Sequence, residues 1–291
     1  MRNIVNYGDS LPGNLILALG YFDAVHKGHE QVLKKTVKIA GERGLTPAVL
    51  MFYGGKGGSD VFTLYERVKR IFSLGISNVI ITELNADFMA KTATTFLHEL
   101  TSLYSVKAVV SGSDFTFGKK AVGNVEMLTD YFGKENVYTE TLLTLNGVDK
   151  ISTTKIKSEL VNGNIENANE LLGFNYFISG KVEKGKMLGK SLGFPTANIS
   201  LSEDKLAIKQ GVYVTFSIVD GALYPSITNF GSQPTVNGKN VVLETYLKGF
   251  NGDLYDKVLT VYFVKRIRDV VAFNSVDELK QQLNLDLEQI R

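Results

Sequence analysis

Two histidines, His26 and His29, stand three residues apart, after the apolar run Leu15 to Leu19 and beside Gly20 and Gly28. An apolar run followed by glycines and an amphipathic segment indicates a strand that turns into a helix. Residues i and i+3 share a helix face, and a helix start adds unpaired N–H groups and the positive end of its dipole. The spacing therefore predicts a site for the phosphates of a nucleotide.

The same two histidines have two simpler interpretations, a zinc pair and a pair of solvated side chains. Zinc in proteins takes a third and usually a fourth ligand, commonly Cys or His. The chain has no cysteine, and its remaining histidine, His98, stands in an ordinary amphipathic segment. We therefore favour phosphate over metal at His26 and His29, and we expect His98 at the surface or in packing.

The composition excludes several classes of function. With 291 residues, of which 44% are hydrophobic, the chain is long enough for two globular domains. A formal net charge of +2 gives no basic field, so we expect no nucleic-acid partner. Without cysteine there are no disulfides and no thiolate catalysis. We expect a cytoplasmic protein without a membrane partner, because no signal peptide and no membrane-spanning apolar run is recognisable.

The first half alternates short apolar runs with amphipathic segments, which predicts a parallel sheet with crossover helices. The predicted strands are Leu15–Leu19, Ala48–Phe52, Val79–Ile81 and Ala108–Val110. The predicted helices are Glu30–Arg43, Leu64–Leu74 and Thr94–Tyr104. This is an α/β fold of the Rossmann-like, doubly wound type, in which ligands bind at the carboxyl ends of the strands.

The second half has a different pattern, which begins at Tyr176. Alternating β-branched and aromatic residues, separated by turn signals, predict strands at 211–218, 241–247 and 259–264 and hence an antiparallel barrel. A helix over 275–289 closes the chain. Short helices are predicted at 152–160 and 166–172, and we place the domain boundary after Gly173, which gives domains 1–173 and 174–291.

Four segments carry a resemblance that covers nearly the whole chain. They are Gly20-Tyr21-Phe22-Asp23 with His26-Lys27-Gly28-His29, Gly112 to Gly118, Ile151 to Lys157, and Gly189-Lys190-Ser191-Leu192-Gly193-Phe194-Pro195-Thr196-Ala197-Asn198. The first three resemble the adenylyltransferase half of the prokaryotic bifunctional riboflavin kinase/FAD synthetase family, and the fourth resembles its flavokinase signature. The resemblance implies a nucleotidylyltransferase domain followed by a β-barrel flavokinase domain.

The resemblance assigns the first half to the transfer of AMP from ATP to FMN. His26 and His29 are the implied catalytic residues, which bind the ATP phosphates and stabilise the transition state. The other implied ATP contacts are Gly20, Phe22, Asp23, Gly28, Ser152, Thr153, Thr154, Lys155 and Lys157, and the implied flavin contacts are Asp114, Phe115 and Phe117. Simpler roles remain open: a helix cap for Ser152 to Thr154, core packing for one of the phenylalanines, and a turn cap for Asp23.

The resemblance assigns the second half to the phosphorylation of riboflavin. Glu244 is the implied general base, although a surface glutamate on a strand edge is the simpler interpretation. The implied ATP contacts are Gly185, Gly189, Lys190 and Thr196, the implied Mg²⁺ ligands are Thr196 and Asn198, and the implied flavin contacts are Arg268 and Phe273.

The chain departs from the family pattern at several positions. Tyr21 replaces a usual Asn, Ala24 a usual Gly and Lys157 a usual Arg, and lysine lacks the bidentate fork of arginine. The segment 52–56 replaces a usual Phe-Asp-Pro-His-Pro, Tyr246 stands where histidine is common, and 229–235 and 268–273 also vary. These departures bear on the ATP-side contacts and on the rate.

The hypothesis from sequence is a bifunctional enzyme that makes FMN from riboflavin and FAD from FMN, with ATP and Mg²⁺. Riboflavin, FMN and ATP are its expected small-molecule partners, and FMN and FAD are its products. We expect a monomer or a weak homo-oligomer. Two alternatives stay open: a monofunctional FMN adenylyltransferase with a degenerate kinase domain, and a flavin-binding sensor without catalysis.

Overall fold

The protein is described here from a computed structural model that covers residues 2–55, 57–141, 144, 145, 149–185, 193–235 and 238–290. The chain divides into two compact units, Met1–Thr153 and Thr154–Arg291. Among the described residues, no helix is both long enough and apolar enough to cross a membrane.

The first unit is built on a parallel sheet with helices between its strands. Its strands are β1 (Asn3–Asn6), β2 (Leu15–Gly20), β3 (Thr46–Tyr53), β4 (Asn78–Glu83), β5 (Val106–Gly112) and β6 (Val137–Glu140), followed by the short β7 (Thr144–Leu145) and β8 (Asp149–Lys150). Its helices are α1 (Lys27–Arg43), α2 (Leu64–Ser73), α3 (Ala86–Ala90), α4 (Ala93–Leu103) and α5 (Val125–Phe132). The four strands and three helices predicted from the apolar pattern are thereby confirmed.

The strand order in this sheet is β1-β4-β3-β2-β5-β6, and all five pairings are parallel. From β2 the chain progresses through β3 and β4 to one side, and then crosses to β5 and β6 on the other. The order therefore reverses between β2 and β5. In doubly wound sheets a crevice opens at this switch point, outside the carboxyl ends of the strands.

Both faces of the sheet are buried, and the alternation of side chains along β2 shows how. Leu15, Leu17 and Leu19 belong to one hydrophobic core, which includes residues of α4. Ile16 and Ala18 belong to a second core, which includes residues of α1 and α2. This explains why the strand reads as an unbroken apolar run in the sequence.

The second unit begins one residue inside the helix α6 (Thr153–Asn162), which is followed by α7 (Ile165–Leu172). The side chain of Asn169 on α7 donates to the carbonyl of Phe263 at 2.9 Å and accepts the N–H of Tyr176 at 2.6 Å. These bonds tie α7 to the barrel, and both helices group with the barrel in the packing of the chain. The boundary after Gly173 between the two catalytic domains stays a prediction.

The rest of the second unit is a closed barrel of antiparallel strands in the order β10-β13-β12-β11-β14-β9. The strands are β9 (Phe177–Glu183), β10 (Thr196–Ser200), β11 (Gly211–Val219), β12 (Ala222–Thr235), β13 (Gly238–Leu247) and β14 (Val258–Arg268), and a helix follows, α8 (Val276–Glu288). The predicted fold class, a Rossmann-like domain followed by an antiparallel barrel with a C-terminal helix, is confirmed.

A row of threonines fixes the register of three adjacent barrel strands. Thr215, Thr228 and Thr245 are buried, and their hydroxyls are joined by hydrogen bonds of 2.8 and 3.0 Å. Because side chains alternate along a strand, their neighbours Asn229 and Glu244 point to the opposite face. The threonine row thus determines which residues the barrel presents on its outer face.

A buried ion pair anchors α8 to the barrel. The Nε and Nη2 atoms of Arg268 donate to the two carboxylate oxygens of Asp286 at 2.9 and 2.6 Å, and Gln282 donates to the same carboxylate at 2.9 Å. Only 3% of the Asp286 side chain is exposed. Bidentate pairs of this kind are strong and geometrically specific.

We predict that Asp286→Asn lowers the stability of the second unit by about 1–3 kcal/mol, because it leaves the Arg268 fork without its charged partner. Chemical denaturation measures the change in the free energy of unfolding, and hydrogen exchange of the α8 amides measures the change at the helix itself. Asp256→Asn is the matched control, since Asp256 forms an ion pair with Lys181 while its side chain is 84% exposed. An equal effect of both substitutions would contradict the anchoring role.

Candidate active sites

Helix α1 begins with the histidine motif. His26 is its N-cap residue, with φ −69° and ψ 176°, and its Nδ1 accepts the backbone N–H of His29 at 3.3 Å. The two imidazole rings are stacked, with centroids 3.8 Å apart and planes inclined by 13°. The start of α1 therefore brings two imidazoles to the positive end of a helix dipole, as the sequence predicted.

The turn before the helix is sterically tight. A Cβ atom on Gly28 would lie 3.2 Å from Cε1 of His26, so glycine makes room for the ring stack. Phe22 and Val25 have positive φ angles of 52° and 43°, which cost about 1–3 kcal/mol each in a residue with a side chain. Both side chains are buried in the core, and this packing keeps the strained turn in place.

Asp23 ties this turn to a distant part of the unit. Its carboxylate is buried, and Oδ1 accepts the backbone N–H of Val61 at 2.7 Å and that of Phe62 at 3.4 Å. The sequence suggested a local cap of the turn that aims His26. The observed bonds join the turn to the segment just before α2.

Arg67, which sequence reasoning missed, forms a second tie at the same edge of the sheet. Its side chain is buried, and Nη1 donates to the carbonyls of Tyr21 at 3.2 Å and Phe52 at 3.1 Å, while Nη2 pairs with Asp60 at 3.0 Å. The ends of β2 and β3 are thereby held together. An arginine in an amphipathic helix gives no signal in the sequence that it is buried.

Tyr21 contacts the segment 52–56, and both depart from the family pattern. Its hydroxyl donates to the carbonyl of Gly54 at 3.1 Å, and the guanidinium of Arg67 lies 5.4 Å from the centre of its ring. Burial raises the pKa of Tyr21 to about 12, with the Asp60 carboxylate also raising it. Tyr21 and the glycine-rich segment that follows β3 therefore contact each other.

The His26 ring is uncharged. Burial lowers the pKa of His26 to about 4. The nearby Lys150 ammonium also lowers this pKa, and the carboxylates of Asp23 and Asp114 raise it only in part. Since Nδ1 accepts a hydrogen bond, the single ring proton of neutral His26 resides on Nε2. His26 is therefore a neutral hydrogen-bond donor at ordinary pH.

A cavity of about 660 Å³ opens at the switch point of the sheet. Most residues that the sequence placed in the first site line it: Gly20, Phe22, His26, Gly28, His29, Asp114, Phe115, Phe117, Ser152 and Thr153. The loops after β2 and β5 supply its two sides. The size and the donor groups suit a nucleotide with a second anionic substrate.

The loop after β5 brings an acidic and an aromatic contribution. Phe115 and Phe117 stack with ring centres 5.8 Å apart; Phe117 is buried in the core and Phe115 is half-buried. Asp114 forms an exposed ion pair of 3.1 Å with Lys150, a cavity residue that no motif in the sequence indicates. Phe117 thus has the core-packing role that is the simpler interpretation for one of the two phenylalanines.

Helix α6 begins at Thr153, so hydroxyl residues do stand at a helix start. Ser152 and Thr153 belong to the first unit and line its cavity, whereas Thr154, Lys155 and Lys157 belong to the second unit. Exposed on α4, His98 pairs with Tyr131 through a 3.3 Å contact from Nδ1 to the hydroxyl, which gives it the surface position expected.

The second unit has a smaller cavity of about 180 Å³, against the outer face of the barrel. Among the predicted residues, Thr196, Glu244, Arg268 and Phe273 line it, together with Phe194, Asn229, Tyr246 and three leucines of α8. In the strand register Glu244 stands opposite Asn198 on β10 and opposite Asn229 on β12. The barrel thus gathers polar side chains from three adjacent strands.

Arg268 faces this cavity with a guanidinium that is already engaged. Two of its nitrogens bind Asp286, and Nη1 donates to the carbonyl of Asp269 at 3.0 Å. The contact of Arg268 with a flavin stays a prediction. Because its nitrogens are engaged, only the side-chain stem and the face of the guanidinium are available for that contact. Gly189 and Lys190 lie outside the described residues.

Two family models match separate parts of the chain. The FAD synthetase family model matches residues 9–158, and the riboflavin kinase family model matches residues 172–291. A solved structure of a macrolide-efflux protein from Streptococcus pneumoniae has the same fold, with a TM-score of 0.86, 28% identity and coverage of 99% of this chain and 98% of that one.

Two curated relatives, each called a bifunctional riboflavin kinase/FMN adenylyltransferase, match almost end to end. The protein of Bacillus subtilis (strain 168) is 34% identical over 93% of this chain and 90% of its own length. The protein of Escherichia coli (strain K12) is 32% identical over 98% of this chain and 95% of its own length. The chain therefore belongs to the bifunctional riboflavin kinase/FMN adenylyltransferase family, and it combines riboflavin kinase and FMN adenylyltransferase activities.

Proposed function

We propose that the cavity of the first unit carries adenylyl transfer to FMN and that the cavity of the barrel carries the phosphorylation of riboflavin. The observation that carries this assignment is the stacked pair of His26 and His29 at the carboxyl edge of a doubly wound sheet. This division agrees with the residues that the two family models match.

In adenylyl transfer a phosphate oxygen of FMN attacks the α-phosphorus of ATP, and the bond to the β-phosphate breaks to release pyrophosphate. Both reactants are anions, so the protein contributes positioning and charge stabilisation, without a covalent intermediate. His26 donates its Nε2–H to a phosphate oxygen, and His29 and the N-terminus of α1 add to the same field. A neutral donor suits this task because it needs no proton exchange during the reaction.

The remaining contacts of the first site follow from the cavity. Ser152 and Thr153 donate hydroxyl hydrogen bonds to the β- and γ-phosphates, and phosphate contacts are also proposed for the Thr154 hydroxyl and for the ammonium groups of Lys155 and Lys157. The exposed edge of the phenylalanine pair at 115 and 117, together with Asp114, contacts the flavin. Gly20, Phe22, Asp23 and Gly28 shape the turn that holds the histidines.

In the kinase reaction the terminal hydroxyl oxygen of riboflavin attacks the γ-phosphorus of ATP, its proton passes to the Glu244 carboxylate, and ADP leaves. Glu244 suits this role because it lines the cavity and because its partners on the two adjacent strands, Asn198 and Asn229, carry polar amides. Gly185, Gly189, Lys190 and Thr196 are proposed to contact ATP, and Arg268 and Phe273 to border the flavin.

The residues present fit a magnesium ion. Thr196 and Asn198 alternate along β10 and therefore point to the same face, where they offer a hydroxyl and an amide oxygen. A Cβ atom on Gly185 would lie 2.4 Å from the Asn198 amide, so glycine makes room for that group. Mg²⁺ prefers oxygen ligands and usually keeps few protein ligands beside substrate phosphates. When bound, it neutralises charge on the transferred phosphoryl group.

We also infer that the protein works in the cytoplasm as a monomer or a weak homo-oligomer, without nucleic acid, with catalytic domains 1–173 and 174–291. The net charge of +2 supports the absence of a nucleic-acid partner.

We predict that His26→Asn lowers the rate of FAD formation from FMN about 100-fold or more, because one preorganised donor is lost. Asparagine is a good N-cap residue, so the helix start is kept. FMN formation from riboflavin is expected to continue unchanged and serves as the internal control. His98→Asn, which changes an exposed histidine, should leave both reactions as they are; loss of FMN formation in His26→Asn would count against the assignment.

A pH dependence follows from the pKa of His26, which is about 4 in the folded chain against an ordinary 6.5. Between these values the unfolded chain binds the extra proton, so stability falls as pH drops from 6.5 to 4, by up to about 3 kcal/mol. Urea denaturation across this range measures the loss, and His26→Asn should show a smaller loss. Equal losses in both proteins would show that the folded ring titrates normally.

We predict that Glu244→Gln lowers FMN formation about 100-fold or more, because an amide does not accept the hydroxyl proton. Separate assays with riboflavin and with FMN as the substrate measure the two reactions. FAD formation from FMN should persist, and Glu203→Gln, an exposed change in the same unit, should affect neither. Parallel loss of both reactions in Glu244→Gln would refute the division of labour.

A further inference from the structure

One buried polar atom in the barrel cavity lacks a hydrogen-bond partner. It is Oδ1 of Asn229, for which the described part of the chain offers no donor. Native proteins rarely leave a buried acceptor unpaired, because the cost exceeds the value of an ordinary hydrogen bond. An atom of this kind inside a ligand cavity therefore indicates a donor on the ligand.

The position of Asn229 is rigid. In the register of the barrel it stands between Val212 on β11 and Glu244 on β13. Its chain neighbour Thr228 lies in the buried threonine row, with hydrogen bonds of 2.8 and 3.0 Å to both sides. Asn229 therefore does not readily move to find a partner within the protein.

The surroundings of the amide say what kind of ligand it meets. Val212, Ile227 and Leu283 give the cavity an apolar wall, while Glu244 is the acidic neighbour. Side chains opposite each other on adjacent strands lie about 5 Å apart at their Cβ atoms. An acceptor at that distance from a base suits a chain that carries several hydroxyls in succession.

We propose that Oδ1 of Asn229 accepts a hydrogen bond from a hydroxyl of the ribityl chain of riboflavin, next to the terminal hydroxyl that Glu244 deprotonates. The inference rests on the assignment of the kinase site to this cavity. The flavin ring also carries a donor, N3–H, but that edge lies at the far end of the molecule from the terminal hydroxyl. An acceptor beside the base meets the chain instead, which makes Asn229 a residue that positions the substrate.

Asn229→Leu tests the proposal, because leucine has a similar size and removes the unpaired oxygen. We expect the unfolding midpoint to stay the same or to rise, and the KM for riboflavin to increase about tenfold. The KM for ATP and the rate of FAD formation from FMN should not change. Ser217→Ala is the matched control: Ser217 is also buried in the barrel, and its hydroxyl oxygen has no partner among the described residues, but it does not line the cavity.

Binding measurements identify the part of the ligand that is recognised. Fluorescence titration with riboflavin, in the presence of ADP and Mg²⁺, should show weaker binding to Asn229→Leu, whereas lumiflavin, which lacks the ribityl chain, should bind both proteins equally. Weaker binding of both flavins would mean a contact with the ring and would overturn the proposal. An unchanged KM for riboflavin, or a midpoint that falls, would also overturn it.

The same set of variants separates this inference from the site assignment. If Glu244→Gln keeps its kinase activity, the assignment of the cavity fails, and the inference fails with it. If Glu244→Gln loses FMN formation while Asn229→Leu keeps the KM of the parent protein, only the inference about Asn229 fails.

Discussion

The first site depends on a stacked pair of imidazoles at the start of a helix, where burial keeps the His26 ring uncharged. The ring centroids of His26 and His29 lie 3.8 Å apart, and burial lowers the pKa of His26 to about 4. The helix dipole acts in the same direction, because its N-terminus disfavours a cation. A neutral donor at His26, beside His29 and the positive end of a helix, forms a site that suits the phosphates of a ligand.

This arrangement requires a strained turn, and much of the first unit serves to hold it. Phe22 and Val25 take backbone conformations that side chains disfavour, and both are packed in the core. Asp23 and Arg67 add hydrogen bonds that join the ends of β2 and β3 to the segment around α2. The geometry of the candidate site is thus a property of the sheet edge as a whole.

The barrel forms its cavity in a different way. Its interior fixes the strands through hydrogen-bonded threonines, and its outer face offers acceptors: a carboxylate at 244 and an amide at 229. Helix α8, anchored by the bidentate pair of Arg268 and Asp286, supplies the apolar wall. In the proposed assignment, the hydroxyl substrate of the kinase reaction needs a base, which Glu244 supplies, whereas the phosphate of FMN needs none.

The sequence predicted the elements well where pattern and burial agree. The continuous apolar run Leu15 to Leu19 identified a central strand, and the alternation after Tyr176 identified the barrel. Short edge elements such as β1 and α3 gave no comparable signal. Asp23 and Arg67 show the limit: their partners lie on other elements of the fold, so their roles follow from the tertiary structure and not from local spacing.

The most direct test of the central claim is ¹⁵N NMR of the imidazole rings during titration with a non-hydrolysable ATP analogue. The three histidines of the chain are few enough to assign. We predict that the signals of His26 and His29 shift in a saturable manner, that His26 stays in the neutral Nε2–H form, and that His98 does not respond. Saturation of the protein with the analogue without a shift at His26 and His29 would contradict the account.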